Sequence, residues 1–301
     1  MDRFEQYRVF AQVAEMGSFI RAAHALAVPR ASVSAAVLQL EAQVGARLLH
    51  RTTRKVRLTA DGARLLERIR PLLADLEDID QMFHAQPGQV SGRLSVDVPS
   101  RIARRLLAPA LPALLARHSR LQLVLGSSDR MIDLVNEGID CVVRVGALRD
   151  SSLVARPLGS MAMVNCASPA YLREHGNPRC PNEMDGHWIV GYASPSSGRG
   201  LPWEYVDGSG QPRTVELPCR VMVNNAESYI ACCKAGLGLI QVPRYDVQHL
   251  LDSGRLAEVL PRYRAPPMPV SLLYPHRRQR SQRLAVFLAW FQALIQPHLE
   301  H

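Results

Sequence analysis

Apolar and polar positions follow a helical period from the first residues of the chain. Phe4, Tyr7, Phe10 and Val13 share one face, which predicts a helix over residues 4–14 with these four inward. Ser18 stands where it can cap a second helix running to about Leu26, and Ala22 and Ala23 are small enough to let another helix cross closely. Ala27-Val28-Pro29 reads as a turn. Beyond it Val33, Val37, Leu40 and Val44 recur at spacings of four, three and four, one buried helix face. The other face carries Arg30, Ser32, Ser34 and Gln39. Two short helices about a tight turn have the layout of a helix-turn-helix, whose second helix enters the major groove of DNA. An ordinary helical hairpin within a core has the same pattern.

The pattern then shortens to a period of two. Leu48, Leu49, Val56 and Leu58 alternate as a hairpin, and the stretch from Ala46 to Thr59 holds Arg47, Arg51, Arg54, Lys55 and Arg57 with no acid. A basic hairpin directly after a helix-turn-helix is a wing, which touches phosphate or the minor groove. A solvated basic loop is the plainer alternative. Thr59 can cap a long helix whose apolar positions are Leu65, Ile69, Leu72, Leu76, Ile79 and Phe83, spaced 4, 3, 4, 3, 4 as a heptad seam. Such a helix spans about 26 residues, roughly 39 Å, and Pro71 inside it predicts a kink. Its stripe needs a partner, either a second chain or its own domain. Gln86 to Gly92 reads as a linker of turn formers.

After the linker strands and helices alternate. Leu94, Val96 and Val98 mark a strand, Ser100 follows Pro99 and can cap a helix toward Arg117, and Leu121–Leu125 is a second strand. A helix across Met131–Glu137 leads to the strand Cys141–Val145. This βαβ series predicts a parallel, doubly wound sheet. A second α/β unit runs from about Met163 to Pro266, after which Val270–Tyr274 (strand) and Ser281–Leu294 (amphipathic helix) return to the first. A lobe left and re-entered implies two lobes joined by two crossovers, with a cleft suited to a small molecule.

Composition narrows the partners. With 301 residues, 47% of them hydrophobic, the chain can bury two or three cores. A net charge of +9 suits a polyanion. The six cysteines, at 141, 166, 180, 219, 232 and 233, have no metal-ligand spacing and are expected to be reduced, buried thiols. Met1 to Glu5 has no apolar leader, and the longest apolar stretch, Leu284–Ile295, is too short for a bilayer. A cytoplasmic protein without membrane, metal or cofactor is the expectation. Gly236-Leu237-Gly238 follows a helix and precedes a strand, the reverse of a dinucleotide loop, and reads as a helix end with a tight turn. No nucleophile elbow, phosphate loop or paired-histidine zinc motif occurs, so no enzyme is expected.

Gly17-Ser18-Phe19, Ala22-Ala23, Leu26, Val33-Ser34, Leu40-Glu41, Gly45, Leu48-Leu49, Arg51, Arg54 and Leu58-Thr59-x-x-Gly62 together resemble the N-terminus of the LysR-type transcriptional regulators. The match is dense over about sixty residues and continues in pattern along nearly the whole chain. It implies a multi-domain α plus α/β protein: a winged helix-turn-helix over 1–58, a coiled-coil linker helix and hinge over 59–89, and an effector domain over 90–301. That domain would be two-lobed, like periplasmic binding proteins, with lobe I at about 90–162 and 267–301 and lobe II at about 163–266. The resemblance further implies binding to double-stranded promoter DNA as a homodimer or homotetramer, modulation by a small molecule, and RNA polymerase as a further partner.

Carried over residue by residue, Arg30, Ala31 and Ser34 fall in the groove, with Arg51, Thr53 and Arg54 at the backbone or minor groove; Ser32, Gln39 and Lys55 join them. Two departures stand out. Pro29 replaces a frequent polar cap, and Ala35 a long polar residue, which shifts specificity toward the wing and DNA shape. For the effector, Ser100 and Arg101 open a helix, a ready anion site. Arg144 and Gly146 end a strand where α/β sheets bind ligands, and Asn225 opens a helix in the other lobe. Ser128, Tyr192 and Gln241 complete the set. Capping and turn formation explain each of these equally simply. Their convergence points to a carboxylate-bearing metabolite, while a neutral aromatic effector fits such a cleft too. A regulator without an effector, and a solute-binding protein or enzyme on the C-terminal fold, are the alternatives.

Overall fold

The computed structural model describes residues 1–51, 56–84, 90–129, 134, 137–148, 153–194, 198–275 and 281–300. The chain divides into two compact units, Met1–Gly88 with Val135–Gly138, and Gln89–Leu134 with Ile139–His301.

In the N-terminal unit Asp2 opens α1 (Arg3–Met16) with a capping box: its carboxylate accepts from the Glu5 N–H at 2.8 Å, and the Glu5 side chain accepts from the Asp2 N–H. The buried face of α1 is Gln6, Val9, Phe10 and Val13. Phe4, expected inward, is 49% exposed; its ring meets Tyr7 edge to face at 6.5 Å. Ser18 caps α2 (Phe19–Leu26) through the Arg21 N–H, and Ala27, at φ +53°, ends it. Helix α3 (Arg30–Val44) buries Val33, Ala36, Val37 and Leu40. Val44, the last residue of α3 before Gly45 at φ +72°, is exposed rather than buried. Alanines at 22, 23 and 36 are almost fully buried and keep the three helices close.

The wing strands β1 (Leu49–Arg51) and β2 (Val56–Leu58) pair antiparallel, with Leu49 opposite Leu58. The Glu41 carboxylate accepts from the N–H groups of Leu48 (2.8 Å) and Leu49 (3.2 Å), tying the wing to α3. Thr59 caps α4 (Ala60–His84): its hydroxyl accepts from the Gly62 N–H at 2.9 Å and donates to the Arg47 carbonyl at 2.7 Å. A Cβ at Gly62 would lie 2.0 Å from the Leu48 carbonyl oxygen. The segment Leu58-Thr59-x-x-Gly62 is thus a strand end, a helix cap and a close backbone approach in one.

The expected seam of α4 splits in two. Ile69 is buried in the unit's own core beside Leu66, with Leu65 packed against them. Leu72 and Ile79 are about half exposed, at 50% and 53%, and Leu76 is half-buried. Phe83 lies in the helix, but its side chain is outside the described residues. The helix is continuous through Pro71.

The C-terminal unit has two lobes. Lobe I contains β3 (Ser91–Val98), then a helical run made of α5 (Ser100–Ile102), a π-helical turn (Ala103–Leu107) and α6 (Ala108–Arg117). Strands β4 (Arg120–Ser127), β5 (Cys141–Val145) and β6 (Val154–Met161) come next. Much of the expected helix over 131–137 lies outside the described residues; Leu134, Glu137 and Gly138 are in turns.

Lobe II holds β7 (Met163–Ala167), α7 (Pro169–His175), β8 (Ile189–Tyr192), the hairpin β9 (Trp203–Val206) and β10 (Pro212–Val215), and β11 (Cys219–Val223). It continues through α8 (Ala226–Lys234), β12 (Ile240–Pro243), α9 (Arg244–Asp252) and β13 (Ala257–Glu258). The chain then returns to lobe I as β14 (Met268–Tyr274) and α10 (Gln282–Ile295).

The sheet of lobe I runs β4-β3-β5-β14-β6. Its first three strands are parallel, but β14 lies antiparallel between β5 and β6, so the sheet is mixed rather than wholly parallel. Lobe II repeats this pattern of directions. Parallel β11 and β8 join β12 through an Ile189–Leu239 bridge, and β12, β7 and β13 are antiparallel. Gly238, at φ +148°, makes that junction possible, since a Cβ there would come within 2.6 Å of the Trp188 carbonyl. The Gly236-Leu237-Gly238 stretch is therefore a helix end and a strand contact.

Candidate DNA-contacting face and inter-lobe site

On α3, Arg30, Ala31, Ala35, Leu38 and Gln39 are exposed, while Ser32 and Ser34 are half-buried. Residues 31, 34, 35 and 38 form one stripe opposite the buried face. Gln39 also accepts a hydrogen bond from buried Gln6 at 3.3 Å, which fixes its side chain at the edge of the stripe. Arg51 sits on β1 with only its backbone described, and Thr53, Arg54 and Lys55 lie outside the described residues. Leu38, 53% exposed, is an apolar group on this stripe that the residue pattern alone did not single out.

In the C-terminal unit the structure brings some of the expected effector residues together and separates others. Pro99, not Ser100, holds the cap position, and Ser100 is the first helical residue. Its N–H and hydroxyl both donate to Asp129, at 2.9 Å and 3.0–3.1 Å. The same carboxylate accepts from the Ala226 N–H at the start of α8 in lobe II, at 2.9 Å. Arg101 is buried and directs its guanidinium across the lobes: Nε to Asp246 at 2.6 Å, Nη2 to the Asp246 carbonyl at 2.9 Å and Nη1 to Glu227 at 2.9 Å. Exposed Arg104 adds a second contact to Glu227 at 3.2 Å. Arg105 meets the His249 ring at 3.2 Å.

Burial pushes the Asp246 carboxyl up to about 6, against the opposing pull of the Arg101 guanidinium. Burial, and then Arg105 beside it, hold His249 below its ordinary value. Tyr192 ends β8 near this cluster; burial and the Asp129 charge raise its hydroxyl above the usual range, and its ring meets Tyr229 edge to face at 5.1 Å.

The remaining candidates make their contacts within a single lobe. Arg144 pairs with buried Asp97 at 3.6 Å, and Ser128 donates to the same carboxylate at 3.3 Å. Gly146, at φ +104°, donates its N–H to the Pro269 carbonyl of β14 and so continues the β5–β14 pairing past the end of β5. Asn225 caps α8 by accepting from the Ser228 N–H at 2.8 Å. Gln241 joins Asn165 (2.8 Å) to the Glu204 carbonyl of β9 (2.7 Å) and so braces lobe II internally. Asp129 and Asp246 were not selected from the sequence, and Glu227 only as part of the helix start chosen with Asn225. Their only local signal is an acid in the first turn of α8 and of α9, and one residue after the chosen Ser128.

Cys141, Cys166 and Cys233 are buried as expected, but Cys219 is exposed. Among the described residues no cluster of His, Cys, Asp or Glu could hold a metal ion. No described helix is long and apolar enough to cross a membrane.

A winged helix-turn-helix unit joined to a two-lobed α/β unit defines a DNA-binding regulator with a ligand-binding domain. Residues 4–63 match the family model of bacterial regulatory helix-turn-helix proteins, lysR family, and residues 87–296 match that of the LysR substrate binding domain. The chain belongs to the LysR family of transcriptional regulators. It is 41% identical over 300 residues, 100% of each chain, to the uncharacterized HTH-type transcriptional regulator YhjC of Escherichia coli (strain K12). It is 32% identical over 289 residues, 96% of this chain and 92% of the relative, to the HTH-type transcriptional activator AaeR of the same organism. Among solved structures, the LysR-type regulator CrgA from Neisseria meningitidis matches with a TM-score of 0.60 and 32% identity, covering 96% of this chain and 97% of that one.

Proposed function

We propose that α3 and the wing bind promoter DNA, and that the half-exposed residues of α4 pair two chains, giving a cytoplasmic homodimer or homotetramer. A small molecule bound between the lobes then alters how the regulator engages RNA polymerase. The domain division proposed is 1–58 for DNA, 59–89 for the arm and 90–301 for the effector. The observation that carries the DNA reading is the exposed stripe of α3 next to an acid-free basic wing. The sites are then Arg30, Ala31, Ser32, Ser34 and Gln39 in the groove, with Arg51, Thr53, Arg54 and Lys55 on phosphate or the minor groove.

Gel shifts with DNA upstream of the protein's own gene test this. Arg51→Ala and Arg54→Ala should each weaken binding and lower the slope of log affinity against log salt by about one unit. Unchanged affinity and slope in both would remove the wing from the interface.

The arm is tested at Leu72. Because its side chain is half exposed in the single chain, Leu72→Asp should leave that fold intact. In a paired seam it buries an unpaired charge and should cost several kcal/mol of association. Light scattering at micromolar concentration should then show a smaller species than the parent; an unaltered oligomer would place the pairing surface elsewhere.

For the effector, a carboxylate-bearing metabolite is the class proposed. The support is that the donors of Ser100 and Ala226, one from each lobe, already hold a carboxylate in the structure, that of Asp129.

A further inference from the structure

Asp129 belongs to lobe I, yet its carboxylate is satisfied from both lobes. Oδ1 accepts from the Ser100 N–H at 2.9 Å, Oδ2 accepts from the Ala226 N–H at 2.9 Å, and the Ser100 hydroxyl lies 3.0–3.1 Å from both oxygens. Both N–H groups are first-turn amides, which have no partner inside their own helices. Asn225 caps α8 at Ser228, so the Ala226 amide is left for another acceptor. The amides that open α5 and α8, one from each lobe, thus converge on one internal carboxylate. Beside it the Arg101 clamp to Asp246 and Glu227 draws the same two lobes together.

We propose that Asp129 is a built-in occupant of the inter-lobe anion position, a latch that holds the lobes in one orientation until an effector carboxylate exchanges with it. The inference rests on the inter-lobe effector reading above and adds the step it lacks. The carboxylate is already supplied with three protein donors, so it does not call for a cation. An incoming carboxylate gains the same donors only by turning Asp129 out. The exchange replaces one negative charge by another, so the arginines alongside keep their balance. Ser128, the residue before it, is tied separately to Asp97 of β3. Binding would then shift lobe orientation by as much as the two carboxylates differ in the geometry they impose.

The test uses the full chain, acetate as the probe, and hydrogen exchange at the first amides of α8. In Asp129→Ala the Ala226 amide should exchange about tenfold faster or more, the loss of one charge-assisted hydrogen bond. Acetate should restore protection in Asp129→Ala, while chloride at equal ionic strength should not. Acetate should do nothing to the parent protein or to an Asp129→Ala/Ser100→Ala double variant. Should Asp129→Ala fail to fold, Asp129→Asn keeps the size of the side chain, loses its charge and carries the same exchange measurement. Unchanged exchange at Ala226, or acetate acting equally on parent and Asp129→Ala, overturns the latch. A gel shift separates the two readings. If acetate restores protection but DNA binding is the same with the latch open or closed, the latch stands and its coupling to transcription falls.

Discussion

Replacing Arg101 with methionine should destabilise the C-terminal unit by about 3–5 kcal/mol, the range for removing one partner of a buried ion pair. Asp246 is 2% exposed and accepts both from Nε and, through its carbonyl, from Nη2 of Arg101. Methionine fills much of the volume but leaves that carboxylate alone, so the loss is electrostatic rather than a cavity. The deficit should depend on pH, with a definite sign. Asp246 has a folded pKa raised to about 6 from 3.8. The folded protein therefore holds this proton more tightly than the unfolded chain, and the contribution of the group is largest at low pH and lost as pH rises toward 6. Without Arg101 the carboxyl rises further, so the variant should approach the parent near pH 5 and fall furthest behind at about pH 8. Thermal unfolding of both proteins at these two values checks it, with a lowering of roughly 10 °C expected at the higher pH. A deficit that is small or independent of pH would mean that Arg101 does not compensate Asp246.

Gly62→Ala should be the most damaging small change in the N-terminal unit. The added methyl meets the Leu48 carbonyl at 2.0 Å, with the Leu48 carbonyl carbon at 2.9 Å, and both are backbone atoms that no rotamer change can move aside. Either α4 or the wing must shift. The shift would break the Gly62–Thr59 cap and the Leu48–Glu41 bond together. Overpacking of this kind costs about 1–3 kcal/mol, and each lost hydrogen bond adds about 1 kcal/mol. For so small a unit that is a lowering of its midpoint by roughly 10 °C or more. Hydrogen exchange should accelerate in α1, α3 and the wing and stay unchanged in the lobes, and DNA binding should fall with the loss of a fixed wing. Wild-type exchange in α3 would show that the contact relaxes at no cost.

What was legible in the sequence was the local part. Ser18 as a cap and the turn at Ala27-Val28-Pro29 come from residue types that stop or start a helix, and the Val33/Val37/Leu40 face from spacings of three and four, which a helix imposes whatever surrounds it. The same rule misplaced Phe4 and Val44, because periodicity says which side a residue lies on and not how far the neighbouring helix extends. It also could not separate Ile69, which fills the unit's own core, from Leu72 and Ile79, which do not, since both uses share one heptad. Strand β6 and the antiparallel place of β14 were missed because pairing between segments far apart in the chain leaves no local trace. The Asp129–Ser100–Ala226 and Arg101–Asp246 contacts were hidden for the same reason. Ser100 and Arg101 were singled out by their helix start, but the acids that take up their donors come from distant segments.

The insertion of β14 between β5 and β6 sets an order of events during synthesis. Both of its neighbours leave the ribosome long before it, with the whole of lobe II made in between. Until Met268–Tyr274 emerges, the edge of β5 that it covers is unpaired and β6 has no strand partner in the sheet, while every described strand of lobe II has been made. A message cut short before Met268 would therefore yield a chain with a complete lobe II and an open lobe I, and open strand edges are the surfaces through which incomplete proteins aggregate. The final strand and α10 act as a seal on translation: only a chain read through both of them closes the sheet on which the π-turn helix and Ser100 are mounted.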